Sequence, residues 1–306
     1  MIVALLAGCA PRTRAGTDAW ASPAHVAARP IVASATAVSG GGDPGRPPRP
    51  SPACLAHVAV PIPDHVTVDG RQRTVLHHAP AATAAAPRDL VIAFHGRTND
   101  AAQARRYFGL DDALPDAVVV YPQALRATPT SFAWRDTGDP PDDQRDFALV
   151  EAVVEAVGRV RCIDLDRVFV VGHSLGAYFA NDVACHLGDR IRAVASVAGG
   201  VLGDGCASGT AALQIHHADD PLVPFDAGEA ARDAFLAANG LADATPAPTA
   251  HPDLARLRCV GYGLGAAHAV VWCAHDDPRS PSGRRDAHAW PPGTAAAIAA
   301  FLQGLP

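Results

Sequence analysis

The chain has 306 residues, 49% of them hydrophobic, and a net charge of −6 spread without long runs of one sign. That length supports one large α/β core or two small ones. The dispersed charge excludes the clustered basic surface that phosphate contacts demand, so no nucleic-acid partner is expected.

The N-terminus, Met1-Ile2-Val3-Ala4-Leu5-Leu6-Ala7-Gly8-Cys9, is an apolar stretch ending in a Leu-Ala-Gly-Cys box. It resembles a bacterial lipoprotein signal, which implies cleavage before Cys9 and lipidation of that cysteine. No Lys or Arg precedes the stretch and it is short, which puts the start of a full signal upstream of Met1. The expected location is therefore secreted or cell-envelope lipoprotein, with the membrane a partner only through a lipid anchor. Residues 10–53 are dominated by Ala, Pro, Gly, Ser and Arg. Such a segment cannot bury enough surface to offset its ordering entropy and reads as a disordered tether, leaving 54–306 as a single catalytic domain.

With Cys9 set aside, Cys54, Cys162, Cys185, Cys206, Cys259 and Cys273 remain, an even set suited to disulfides in an exported chain. None forms a Cys-x-x-Cys pair, so neither a zinc site nor a thioredoxin-like motif is expected. Cys259 and Cys273 flank a run that reads as two strands around residues 261–265, and a staple there is worth roughly 3 kcal/mol. The pairing of the other four stays open.

Strand and helix patterns then alternate. An antiparallel pair is expected over Val58–Val68 and Arg73–His78, a buried strand over Leu90–Phe94, a helix over Ala101–Tyr107 and a strand over Ala117–Tyr121. A long helix over Gln144–Arg161 precedes strands at Arg167–Val171, Ala193–Val197 and Ala211–His216. A helix over Ala227–Ala238, the Cys259–Cys273 strands and a closing helix over Gly293–Leu302 complete the chain. This spacing predicts α/β architecture with a doubly wound, mostly parallel sheet.

Gly172-His173-Ser174-Leu175-Gly176 follows the apolar run Val168–Val171 and precedes a helical spacing of Leu175, Tyr178, Phe179, Val183 and Leu187. A serine on a sharp strand-to-helix turn needs small residues two positions to either side, and the two glycines meet that need. Ser174 is the candidate nucleophile. A serine hydroxyl attacks only when a base removes its proton and an acid orients that base. In a doubly wound hydrolase these follow the serine in the order acid, then histidine. The strand Ala211–His216 runs into Asp219-Asp220-Pro221-Leu222-Val223-Pro224, where the proline and apolar residues anchor Asp220 inward, and Asp219 is read as a loop or capping residue. Among the 14 histidines, His251, His268, His275 and His288 follow Asp220, and only His288 lies in a turn-rich stretch before a final helix. The oxyanion donors are expected to be the N–H groups of Leu175 and of Arg97, in the loop His95-Gly96-Arg97-Thr98.

With these pieces located, the chain resembles the secreted α/β-hydrolase-fold esterases related to poly(3-hydroxybutyrate) depolymerases and feruloyl esterases. The resemblance runs from about His57 to the C-terminus. It rests on Leu90–Gly96, Cys162–Phe169, Asn181–Cys185, Asp220–Pro224, Cys259 with Val271-Trp272-Cys273, and His288-Ala289-Trp290-Pro291. It implies nucleophile, acid and base roles for Ser174, Asp220 and His288, and an ester substrate. Family members often have a second Gly after the elbow glycine and a residue other than His before the serine. Here Ala177 follows Gly176 and His173 precedes Ser174, a pattern shared with many lipases.

Trp134, Tyr178 and Trp290 are candidates to line an aromatic cleft for a phenolic acid or a polyester. The expected activity is an exported serine carboxylesterase working through an acyl-enzyme on polyhydroxyalkanoate-type or feruloyl esters, with no metal or organic cofactor. A lipase, a serine peptidase or a non-catalytic envelope-anchored binding protein are the rivals. A histidine base must be neutral to act, so ester hydrolysis should rise through roughly pH 6 to 7 and persist in alkali. A flat rate from about pH 5 to 9 would contradict the role of His288.

Overall fold

Alternate side chains of the central strands enter different halves of the core. Leu90, Ile92 and Phe94 pack with Val168 and Val170 in one apolar cluster, and Val91 and Ala93 with Phe169 and Val171 in the other. A strand buried on both faces must divide its side chains in this way.

The computed structural model describes residues 47–56, 60–80, 86–128, 131–135, 145–203, 206 and 209–306. Within them the chain forms α1 (Ala53–Ala56), β1 (His65–Val68), β2 (Arg71–His78), β3 (Arg88–Phe94), α2 (Ala101–Phe108), α3 (Leu110–Ala113) and β4 (Val118–Pro122). Next come β5 (Leu125–Thr128), β6 (Ser131–Ala133), α4 (Arg145–Val160), β7 (Ile163–His173), α5 (Leu175–His186), β8 (Ala193–Val197) and β9 (Ala211–His217). The remaining elements are α6 (Phe225–Ala238), β10 (Ala247–Pro248), α7 (Pro252–Arg256), β11 (Cys259–Tyr262), β12 (Val270–His275) and α8 (Thr294–Gln303).

The main sheet has the order β1-β2-β4-β3-β7-β8-β9-β12-β11-β10. Its centre, from β4 through β12, is parallel. Antiparallel strands close it on both sides, β1 and β2 at one edge and β11 and β10 at the other. Leu149 and Val153 of α4, Phe179 of α5 and Phe235 of α6 cover one face, while Phe108 of α2, Leu254 of α7 and Ile298 and Phe301 of α8 cover the other. This is the expected doubly wound sheet.

Several boundaries differ from the sequence expectation. The strand before Ser174 starts at Ile163 rather than Arg167, and the first strand is confined to His65–Val68. The β5–β6 hairpin, β10, α3 and α7 were not anticipated, being too short to develop a periodicity. The signal-like segment with Cys9, most of the tether, Val58 and Gln144 lie outside the described residues. The tether boundary at residue 53 is late. Arg49 N–H donates to Asp164 Oδ1 at 3.0 Å, and buried Ser51 donates to the Arg161 carbonyl at 2.9 Å and accepts from Ile163 N–H at 3.1 Å. Backbone and hydroxyl partners hold these residues where apolar content alone would leave them loose.

Cys259 and Cys273 face each other across β11 and β12 and are bonded, as the hairpin spacing led us to expect. The other pairs are Cys54–Cys162 and Cys185–Cys206. Cys54–Cys162 spans 108 residues and Cys259–Cys273 spans 14. Closing the longer loop removes more entropy from the unfolded chain, so a Cys54→Ala/Cys162→Ala variant should lose about 4 to 5 kcal/mol and a Cys259→Ala/Cys273→Ala variant about 3. Urea midpoints of the two variants test the order; equal losses would contradict it.

Candidate active site

Strand β7 ends at His173 and α5 begins at Leu175, leaving Ser174 between them at φ 56° and ψ −126°. A non-glycine residue resists positive φ, so the surroundings must impose this geometry. Ser174 N–H is held by the Val197 carbonyl at 2.9 Å. A Cβ on Gly172 would run into the backbone of Gly176, and one on Gly176 into the carbonyls of Phe94 and His95. Strand and helix therefore pass with backbone against backbone.

His288, in the segment between β12 and α8, brings Nε2 to 2.9 Å from Ser174 Oγ. Its Nδ1 lies 2.7 Å from Asp220 Oδ2. An ionised carboxylate only accepts, so the Nδ1 position carries the proton and Nε2 is free to accept from the serine hydroxyl. Asp220 follows β9 and its Oδ1 accepts from the N–H groups of Leu222 and Val223 at 2.8 and 2.9 Å. Burial alone would raise the Asp220 carboxyl, but the bonds from His288, Val223 and Leu222 outweigh it and hold it below the usual carboxylate range. Asp219 is exposed, and its N–H donates to His217 Nδ1 at 2.9 Å. His251 caps α7, and His275 lies buried in β12 against the ring of His217.

Leu175 opens α5, where the first helical N–H groups lack acceptors within the helix. Arg97 sits in the loop after β3. A Cβ on Gly96 would lie 3.3 Å from Ser174 Cβ and 3.4 Å from the His173 carbonyl, so this loop rests directly on the elbow. Buried His95 anchors it from below. His95 Nδ1 donates to the Gly96 carbonyl at 2.9 Å, and Nε2 accepts from Ala124 N–H at 3.1 Å and Gln123 Nε2 at 3.0 Å. Burial lowers the pKa of this imidazole to about 4.

Two of the three aromatic candidates do not line a cleft. Trp134 is buried, donates from Nε1 to the His95 carbonyl at 2.7 Å, and stacks on Phe179 with centroids 5.2 Å apart. Trp290 is also buried and stacks on Phe108 at 4.1 Å. Large rings gain most from full burial, and core positions within reach of both rings claimed them. Tyr178 is partly exposed, with its ring packed against Gly200, and burial followed by the negative charge of Asp220 raises its pKa.

Further buried polar residues support the site, and the sequence reading gave none of them this role. Asn181 donates to Ser196 Oγ at 3.1 Å and to the Gly200 carbonyl at 2.9 Å, and Gln214 Nε2 donates to Asn181 Oδ1 at 2.8 Å. This network fixes the turn after β8 beside Tyr178. His216 Nε2 donates to the Val223 carbonyl at 3.0 Å and lies 3.7 Å from Asp220 Oδ2, bracing the acid's turn. An Asn on the apolar face of α5 and a His doublet ending a buried strand were the available signals. Among the described residues, no group of three or more His, Cys, Asp or Glu is placed to hold a metal ion.

"Probable feruloyl esterase C" of Aspergillus terreus is 34% identical over 138 residues, covering 44% of this chain and 47% of the relative. "Feruloyl esterase C" of Emericella nidulans is 29% identical over 175 residues, covering 56% of this chain and 60% of the relative. The chain thus spans about half the length of the curated relatives it matches. The Bacillus cereus carboxylesterase structure superposes with a TM-score of 0.54 at 13% identity, covering 76% of this chain and 93% of that one. No family model matches. The fold is that of the α/β hydrolases, and the sequence is similar to feruloyl esterases over about half of their length.

The pKa values of His95, His173 and His275 are lowered to about 4 from the ordinary 6.5, foremost by burial. Each stays neutral in the fold, so between about pH 6.5 and 4 the unfolded chain binds more protons and stability falls as pH drops through that window. Thermal scans should show Tm declining from pH 7 to 4, with a shallower decline for His275→Leu. A Tm constant across the window would contradict the burial of these imidazoles in neutral form.

Proposed function

We propose that this chain is a serine carboxylic-ester hydrolase that acts through an acyl-enzyme on esters of aromatic acids. The hydrogen-bonded line Ser174–His288–Asp220 at the end of the parallel strands supports it most strongly. Ser174 Oγ attacks the ester carbonyl carbon as its proton passes to His288 Nε2, and Asp220 stabilises the imidazolium through Nδ1–H. The N–H groups of Leu175 and Arg97 take the developing oxyanion, and their backbones are set by the elbow rather than by the substrate. Collapse breaks the bond to the alcohol oxygen, which leaves with the proton from His288. Water then attacks the acyl carbon as His288 takes its proton, and collapse breaks the acyl bond to Ser174 Oγ, which receives that proton as the acid is released.

Feruloyl substrates are favoured because the relatives above carry that name. Tyr178 beside Gly200 offers an aromatic wall for such an acid. Three disulfides in the folded domain accord with export to an oxidising compartment. Lipidation of Cys9 is part of the same reading, as is a tether ahead of the domain.

Hydrolysis of methyl ferulate, p-nitrophenyl butyrate and a hydroxybutyrate oligomer by the chain and by Ser174→Ala tests the reading. The substitution should lower kcat/KM by about four orders of magnitude or more, with methyl ferulate the preferred substrate. Undiminished turnover in Ser174→Ala would remove the serine from the mechanism. A ranking led by the oligomer would move the substrate class to polyesters.

A further inference from the structure

His173 directly precedes Ser174, yet its side chain is tied to the base rather than to the nucleophile. Its Nε2 lies 2.8 Å from the backbone carbonyl oxygen of His288. Its Nδ1 lies 3.1 Å from the Tyr107 hydroxyl. A carbonyl only accepts, so Nε2 carries the proton and Nδ1 accepts from Tyr107 O–H. The Tyr107 oxygen in turn accepts from Asn99 Nδ2 at 3.3 Å and from the Gly96 backbone N–H. Asn99 belongs to the loop after β3, where its own N–H bonds the Gly96 carbonyl at 3.2 Å. One run of hydrogen bonds therefore begins on the oxyanion loop, crosses α2 and the elbow, and ends on the backbone of the base.

His288 needs such a hold. It lies outside regular secondary structure, and its N–H is taken by Asp286 Oδ1 at 3.1 Å and its Nδ1 by Asp220. The His173 bond secures the remaining backbone group, while Trp290, two residues on, stacks on Phe108 and meets Tyr107 edge-on. Burial keeps the His173 ring neutral, at about 4, and so keeps its single proton on the donor side.

We propose that His173 is a positioning residue for His288, with Tyr107 and Asn99 fixing the tautomer in which it donates to the His288 carbonyl. This rests on the esterase reading, in which His288 Nε2 must meet the Ser174 hydroxyl. Misplacing a reacting group by about 1 Å costs roughly a hundredfold in rate.

Steady-state kinetics of the full chain on methyl ferulate and p-nitrophenyl butyrate should therefore show His173→Leu lowering kcat by about a hundredfold with KM within about twofold. His173→Gln, whose amide nitrogen reaches the same carbonyl, should recover about tenfold of that loss, and Tyr107→Phe, which deletes one oxygen, should cost about five- to tenfold. Equal losses in the Leu and Gln variants, a change confined to KM, or an unchanged Tyr107→Phe would overturn the proposal; the last two variants decide it should His173→Leu fail to fold. Proton NMR gives a readout independent of turnover. The low-field Nδ1–H signal of His288 should persist in the wild type and in His173→Gln, and weaken by exchange in His173→Leu and Tyr107→Phe. An undiminished signal in every variant overturns the positioning role, whereas a wild type inert on all esters overturns only the esterase reading.

Discussion

The contact of Gly176 with the carbonyls of Phe94 and His95 is the constraint on which the rest of the site depends. Because no side chain separates the start of α5 from the end of β3, the helix can enter close enough to force Ser174 to φ 56°. The same approach brings the loop after β3 under the serine, since Gly96 also sits against Ser174 Cβ. The elbow and the loop read as oxyanion donor are thus two results of one close backbone passage. Buried His95 and Trp134 make the passage rigid by occupying the polar groups of that loop from the inner side.

Above this frame Asp220, Asn181 and Gln214 are buried and each finds hydrogen-bond partners. Asp220 is removed from water, which by itself disfavours its charge, and two backbone N–H groups together with His288 restore it. His216 then secures the turn that carries those N–H groups. Asn181, Ser196 and Gln214 do the same for the turn beside Tyr178. A buried polar group left without a partner costs about 1 to 3 kcal/mol, so these networks define one arrangement of the loops rather than several.

The elbow, the parallel strands and the Cys259–Cys273 pairing were legible because each is local in the chain. Val168–Val171 is a short, continuous apolar run rich in β-branched residues, Gly172 and Gly176 flank the serine, and Cys259 and Cys273 bracket a hairpin. The roles given to Trp134 and Trp290 were misread for the opposite reason. An aromatic residue looks the same in sequence whether its ring meets a substrate or a core, and only the stacking partners Phe179 and Phe108, distant in the chain, distinguish the two.

The amino-acid sequence by itself determined the fold class and the strand-to-helix turn at Ser174, through apolar runs and glycine placement, and its chain order singled out Asp220 and His288 as the candidates to accompany that serine. Tertiary structure alone decided how they meet. His288 reaches Ser174 across a sequence separation of 114 and Asp220 across one of 68. The supports from His95, Tyr107, His173 and His216 likewise arise only where separate strands and helices converge. Hydrogen bonds of this kind depend on distance in space and on which atom carries the proton, and neither is written in local sequence spacing.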